Sequence, residues 1–205
     1  MPRIIETSKE EYKEEAQKKI INAALNVMKR KGFQSMTVED VAKEVGVTKA
    51  ALYLYFENKE ALFNSTLAES GRRFEEVIEF SSGDCDDLDT ALENMIEQTI
   101  TLQKMFGPMK ENLVIVIELT SLAIRDPEKY AMFWGVLQKN ITVLENALQA
   151  LQKKKLLPKN LEIHDAAMAI LALIGAVKVR IYLGENEAEV KKWWVSSAKK
   201  LLVAP

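Results

Sequence analysis

The chain has 205 residues, 48% apolar and 28% charged, which is enough for one large domain or a domain with a smaller companion, with the make-up of an ordinary soluble globular protein. A lone cysteine, Cys85, excludes an internal disulfide, and no basic-then-apolar leader ending in small residues is present, so a reducing cytoplasm is the expected compartment. The net charge of −2 gives no reason to expect a polyanionic partner, although residues 1–66 hold eleven basic side chains against ten acidic ones and the remainder seventeen against twenty.

Apolar residues recur at helical rather than strand spacing almost throughout, and glycines and prolines fall between the periodic segments, so the predicted fold is all α. Ser8 with Glu11 three positions on predicts the start of a first helix, which carries Ile20, Ala24, Val27 and Met28 inward and stops before Gly32. Thr37 with Asp40 starts a second helix of about two turns, with Val38, Val41, Ala42 and Val45 as its stripe and Gly46 as its left-handed end. Thr48 caps a short third helix, and Asn58 caps a fourth that runs through Leu62, Leu67 and Phe74 towards Phe80. Two short helices joined by Gly-Val form a helix-turn-helix pattern.

"SSGDCDDLD", residues 81–89, is expected to be a turn or loop between domains, and Gly107-Pro108 to break the next helical stretch. Asp126-Pro127 launches a helix to about Lys155, stopped by Leu157-Pro158. Asp165 to Tyr182 forms another, closed by Gly184, and Asn186 with Glu189 caps a last one that ends near Leu202. The apolar runs at 113–124 and 166–177 are interrupted or ended by Glu118 and Lys178, short of the roughly 18 residues a membrane span needs.

The stretch "GVTKAALYLYFENKEALF", residues 46–63, suggests a function. On a helix Leu52 and Phe56 share one side, which is expected to be buried with Val41 and Val47, whereas Ala50 and Leu54 point away and Tyr53 and Tyr55 flank them. A crest of small residues with hydroxyls on both shoulders suits the DNA major groove. Ala50 and Ala51 permit close backbone approach and can touch thymine methyls, Tyr53 and Tyr55 reach the bordering phosphates, Thr48 sets a helix N-terminus against the backbone, and Lys49 reaches a guanine edge or a phosphate.

Residues 20–63, with Ala23-Ala24-Leu25, Gly32-Phe33, Thr37-Val38, Val41-Ala42, Gly46-Val47, Leu52-Tyr53, Tyr55-Phe56, Lys59 and Leu62 in order, closely resemble the N-terminal domain of the TetR family of transcriptional regulators. The resemblance covers about a quarter of the chain. It implies an N-terminal three-helix helix-turn-helix domain, residues 1–66, and a larger helical effector-binding and dimerisation domain, residues 67–205, with about nine helices in all. It also implies phosphate contacts from Thr37, Thr48, Tyr53, Tyr55 and Lys59, and base contacts from Lys49, Ala50 and Ala51. Ala50 stands where the family often has glycine. Glu39 and Asp40 read as partners of the helix-two dipole, Glu44 and Lys29 to Lys31 as solvated, and Lys18 or Lys19 as a further phosphate contact.

The family holds its ligand among the helices of the larger domain. In this chain the candidate lining is Met105, Phe106, Met109, Phe133 and Trp134, since methionine and aromatic side chains line adaptable pockets. Glu118 and Lys178 interrupt apolar helices, and each needs a partner; if Lys178 has a ligand for its partner, that ligand is a carboxylate or phosphate. Ala169, Ala172 and Ala176 with Gly175, and Val190, Trp193, Ser197 and Leu201 on the last helix, form two faces for a homodimer. Dimerisation has its own reason, because one short recognition helix reads few bases, so a pseudo-palindromic operator is expected.

The single His164 and single Cys85 cannot assemble a zinc site or a nucleophilic triad within one chain, no glycine-rich phosphate loop occurs, and the aspartates around Cys85 lack the pattern of a calcium loop. The expected function is therefore a repressor, not an enzyme, that carries no cofactor and is released from double-stranded DNA by a small, largely apolar effector. A small-molecule-binding helical dimer without operator binding and an α-helical enzyme are the other readings open at this point.

Overall fold

Helix boundaries fall where capping chemistry puts them. The structure, a computed structural model, describes residues 3–33, 35–83, 85–105, 117–118, 120–121 and 123–203, with side chains from residue 11 onward except at 67, 70, 80–83 and 105. Among these, eight helices are α1 (Arg3–Lys31), α2 (Val38–Val45), α3 (Lys49–Tyr53), α4 (Lys59–Gly83), α5 (Leu88–Met105), α6 (Pro127–Lys153), α7 (Ile163–Tyr182) and α8 (Glu187–Val203). Described positions between 117 and 125 are helical too, and the described residues contain no strand. No described helix is long and apolar enough to cross a membrane.

Most expected caps are present. Thr37 and Asp40 form a reciprocal capping box at α2, and Gly46 ends it at φ 82°. Asn58 accepts the Ala61 amide at 2.7 Å, Asp126 accepts those of Glu128 and Lys129, and Asn186 accepts that of Ala188 at 2.9 Å. Two expectations need correction. Ser8 does not open α1, which is already helical at Arg3; a capping-box pattern loses to a helix that can continue through it. Residues 81–89 do hold a turn, at 85–87, but it does not separate domains: α4 continues to Gly83, Cys85 is buried in the larger core, and Asp87 caps α5 through the Thr90 amide at 2.8 Å. Burial of Cys85 makes that connection a tight corner inside one packed unit. The expected break at Gly107-Pro108 lies outside the described residues.

Two apolar cores result. The smaller joins Ile20 to Met28 of α1 with Phe33, Met36, Val41, Leu52, Phe56, Leu62 and Phe63, and Met132, Phe133 and Val136 of α6 pack against it. The larger is built from α4 to α8 around Leu92, Ile96, Leu144, Ile170 and Trp194. Helix α4 serves both, with Leu62 and Phe63 in the first and Phe74 and Ile78 in the second. Ion pairs Lys104–Glu187 at 2.7 Å and Lys199–Asp89 at 2.6 Å lie at opposite ends of α5 and α8, which therefore run antiparallel.

Candidate nucleic-acid interface

Helix α3 has five residues, too few to persist alone, so its geometry is set by its ends and its buried side. Thr48 accepts the Ala51 amide at 3.1 Å. Leu52 is 1% and Phe56 5% exposed, whereas Leu54 is 79% exposed and Ala50 lies fully on the surface. The helix ends at Tyr53, but the Phe56 amide still reaches the Leu52 carbonyl at 3.1 Å, which keeps Phe56 on the Leu52 side. Tyr53 is exposed, and Ala51 and Tyr55 are half-buried. The expected crest is thus present, with one change: Val47 is exposed, because the Gly46 turn swings it off the core.

The charges around this unit are arranged more closely than spacing alone suggested. Arg30 pairs with Glu44 at 2.6 Å, Lys31 with Asp40 at 2.5 Å, and Lys49 with Glu39. The three carboxylates of α2 therefore bind the end of α1 on one side and the start of α3 on the other. Glu44, Arg30 and Lys31 are not merely solvated, and Glu39 does more than face its own helix dipole. Lys31 and Thr37 together hold the Asp40 carboxyl down at about 2. Lys49 also lies 5.9 Å from the Tyr53 ring centre. Lys59, half-buried, stands 4.7 Å over the Phe33 ring, and desolvation lowers its pKa. Thr37 is exposed but committed to its capping box. Tyr12 and Lys19 of α1 share a groove with Val47, Ala51 and Tyr55, so α1 borders the same face; only the exposed Lys19 was marked in the sequence.

Among the described side chains, the structure does not bring the proposed pocket residues together. Phe133 packs on the smaller core, and Trp134 is 42% exposed and stacked parallel to Tyr130 at 6.3 Å. Both lie on the first turns of α6, which face the N-terminal helices and solvent. Met105 closes α5, and Phe106 and Met109 lie outside the described residues. Lys178 sits on the inward side of α7 beside Ile174 and Val177, makes no ion pair or hydrogen bond with the described residues, and has its pKa lowered by desolvation. Glu118 does have a partner, although not a side chain: it accepts the Phe33 amide at 2.8 Å.

The proposed dimer faces also shift. Val190 is 0% exposed and belongs to the larger core, since it shares a helix side with Trp194, Ala198 and Leu202. Trp193, Ser197 and Leu201 are half-buried, with Arg180 4.3 Å over the Trp193 ring. On α7 the exposed stripe is Met168, Ala172, Gly175, Val179 and Tyr182, while Ala169 and Ala176 flank it half-buried. Ala172 and Gly175 thus stand on the exposed stripe, and of the residues expected at the two faces only Val190 is turned wholly inward.

Residues 20–66 match the family described as bacterial regulatory proteins, tetR family. The HTH-type transcriptional regulator YfiR of Bacillus subtilis is 43% identical over 53 residues, 26% of this chain and 26% of that protein. The aligned stretch thus spans about a quarter of that relative's length. Among solved structures, a TetR-family regulator from Rhodococcus sp. superposes with TM-score 0.75 at 17% identity, covering 91% of this chain and 97% of that one. FadR from Bacillus subtilis, solved in complex with stearoyl-CoA, gives 0.69 at 23% identity, covering 90% and 96%. Residues 20–66 are thus a tetR-family helix-turn-helix domain, and the chain shares its fold with TetR-family regulators along nearly its whole length.

Proposed function

We propose that the protein is a ligand-responsive repressor that binds a pseudo-palindromic operator as a two-fold dimer. Residues 1–66 read DNA, and residues 67–205 bind the effector and the partner copy. The observation that carries this is the crest of α3: Ala50 and Leu54 outward, Leu52 and Phe56 inward, and a threonine-capped start. In the groove Thr48, Tyr53 and Tyr55 hold phosphates with help from Thr37 and Lys59, Ala50 and Ala51 lie against base edges, and Lys49 exchanges Glu39 for a guanine edge or a phosphate. Two-fold pairing through the α7 stripe, with Trp193, Ser197 and Leu201 of α8 beside it, sets two recognition helices roughly 34–36 Å apart.

The effector proposed is an apolar molecule with an anionic head, because Lys178, on an otherwise apolar helix side, makes no ion pair or hydrogen bond with the described residues and is desolvated. An acyl chain on a charged headgroup, as in the stearoyl-CoA held by FadR, has that chemistry. Effector and DNA then oppose each other reciprocally, each weakening the other's binding. The reading is tested by selecting duplexes from a random pool and measuring affinity against salt. Sequence-selective binding that falls steeply with salt is expected, weakened on all sequences by Tyr53→Phe or Lys59→Ala and altered in preference by changes at Lys49 or Ala51. Equal affinity for every duplex, or a monomer in sedimentation at micromolar concentration, overturns it.

A further inference from the structure

Glu118, in the stretch between α5 and α6, reaches the smaller core. Its Oε2 accepts the amide of Phe33, 85 positions away in sequence, at 2.8 Å. The acceptor is fitted closely against the turn that ends α1. Gly32 there has φ +77°, and a Cβ at that position would collide with Glu118 Oε1. Glycine thus serves twice, by adopting the left-handed backbone and by leaving room for the carboxylate, which an added Cβ would displace. Phe33 cannot drift away from the bond, because its ring packs 4.1 Å from that of Phe63 with Lys59 over it. Glu118 lies in the segment 67–205 proposed to bind the effector, so the carboxylate links that segment to the α1–α2 turn.

From the turn, the connection continues through bonds already described. Lys31, one residue before Gly32, holds Asp40 of α2 at 2.5 Å, and Glu39 beside it holds Lys49 at the start of α3. We propose that Glu118 is a positioning residue for DNA recognition: its bond to Phe33 fixes the angle at which α3 is presented, and hence the half-site spacing the dimer accepts. This rests on the regulator reading. It adds a named bond whose making and breaking transmits the state of that segment, since a half-buried carboxylate that leaves the amide must find water or another donor.

The test uses the full chain with Glu118→Gln, Glu118→Ala and Gly32→Ala. Amide exchange read by NMR at Phe33 and its neighbours reports the bond, and duplex selection from a pool with variable half-site spacing reports its consequence. The expected result is exchange at Phe33 about tenfold faster in Glu118→Ala, the loss of one charge-assisted bond, and a smaller change of the same direction in Glu118→Gln. The same half-site bases should be selected, with a broader range of spacings and about tenfold weaker binding at the wild-type spacing. Gly32→Ala, which evicts the carboxylate, should broaden spacing likewise. Glu118→Gln keeps the side chain's shape and serves if Glu118→Ala fails to fold. Unchanged Phe33 exchange, or changed exchange with wild-type spacing and affinity, overturns the proposal. A wild type that selects no duplex overturns the regulator reading and this one with it, a result distinguishable because it needs no variant.

Discussion

Helices α3 and α7 both turn small residues outward, Ala50 on one and Ala172 and Gly175 on the other, yet they are held in place in opposite ways. Helix α7 has 20 residues and a continuous inward stripe of Ala167, Ile170, Ile174 and Val177, so its outer face is free to change without consequence for its existence. Helix α3 has five residues and one buried side chain of its own, Leu52, helped by Phe56 beyond its end and by the Thr48 cap. The recognition surface is therefore inseparable from a few local bonds, whereas the proposed dimer surface depends on a scaffold that would stand without it.

The sharpest way to break that contrast is Leu52→Ala. Truncating a side chain 1% exposed in the smaller core should cost roughly 2–5 kcal/mol and melt the N-terminal helices first. Trp193 and Trp194 belong to the larger core, whereas Trp134 lies where α6 faces the N-terminal helices, so in a Trp134→Phe background tryptophan fluorescence reports the larger unit. Denaturant titration should show circular dichroism falling early while the tryptophan midpoint stays where it is in the wild type. Coincident transitions would show that the two cores melt as one. Next in size is Thr48→Ala, which leaves the Ala51 amide without its acceptor and should cost about 1 kcal/mol. Its effect on DNA affinity should exceed that small loss, because the same cap orients Lys49, Ala50 and Ala51. Equal effects on stability and on binding would mean that the cap serves the fold alone.

What was legible in the sequence follows the same division. The α2–α3 unit is written in short-range chemistry: Thr37 with Asp40, Gly46, Thr48 and Asn58 each act within four residues, and each appears as read. The larger unit's caps at Asp126 and Asn186 were equally plain. Contacts across the chain were not. The need of Glu118 for a partner was evident, but a backbone amide 85 residues away leaves no pattern, and the salt links from α2 to α1 and α3 look like ordinary surface charge until the helices are placed. Phe133 and Trp134 read as pocket lining because aromatic residues on a helix do not say which of two cores they serve. Val190 read as interface because the inward and outward stripes of α8 are both partly apolar, and only packing fixes which is which.

Lys178 puts the contrast to a test inside α7. The scaffold holds a cation at a cost, which the proposed ligand would offset. Because desolvation lowers its pKa in the folded state below the usual 10.5, the unfolded chain holds the proton more tightly, and stability should rise with pH between the lowered value and about 10.5. Lys178→Met should remove that slope and raise the Tm at pH 7 by ~2–4 °C, the equivalent of about 1 kcal/mol in a chain of this size. It should also abolish binding of palmitoyl-CoA or palmitate if either binds the wild type. A Tm that falls instead would show that the ammonium already has a favourable site.

The smallest expected effect concerns two helix ends that perform the same turn with different residues. Gly46 ends α2 and Lys155 follows α6, at φ 82° and 63°, and both lie in the left-handed region. At Lys155 the backbone completes a Schellman motif, with the Lys155 amide on the Gln152 carbonyl and that of Leu156 on the Leu151 carbonyl, each at 3.0 Å. Its side chain is exposed and has no part in that geometry. Replacing it by glycine relieves a left-handed penalty of about 1–2 kcal/mol and adds the greater unfolded-state entropy of glycine, about 0.5–1 kcal/mol. The net expectation is a gain of about 0.5–1 kcal/mol, or ~2 °C in Tm. The reciprocal change, Gly46→Ala, meets no atom within 4 Å, so its cost is backbone strain alone and should match the gain in size. That cost should appear in DNA affinity, because the turn it strains sets α3 against α2, whereas Lys155→Gly should leave affinity unchanged. If both substitutions alter stability alone, the link between the Gly46 turn and recognition is absent.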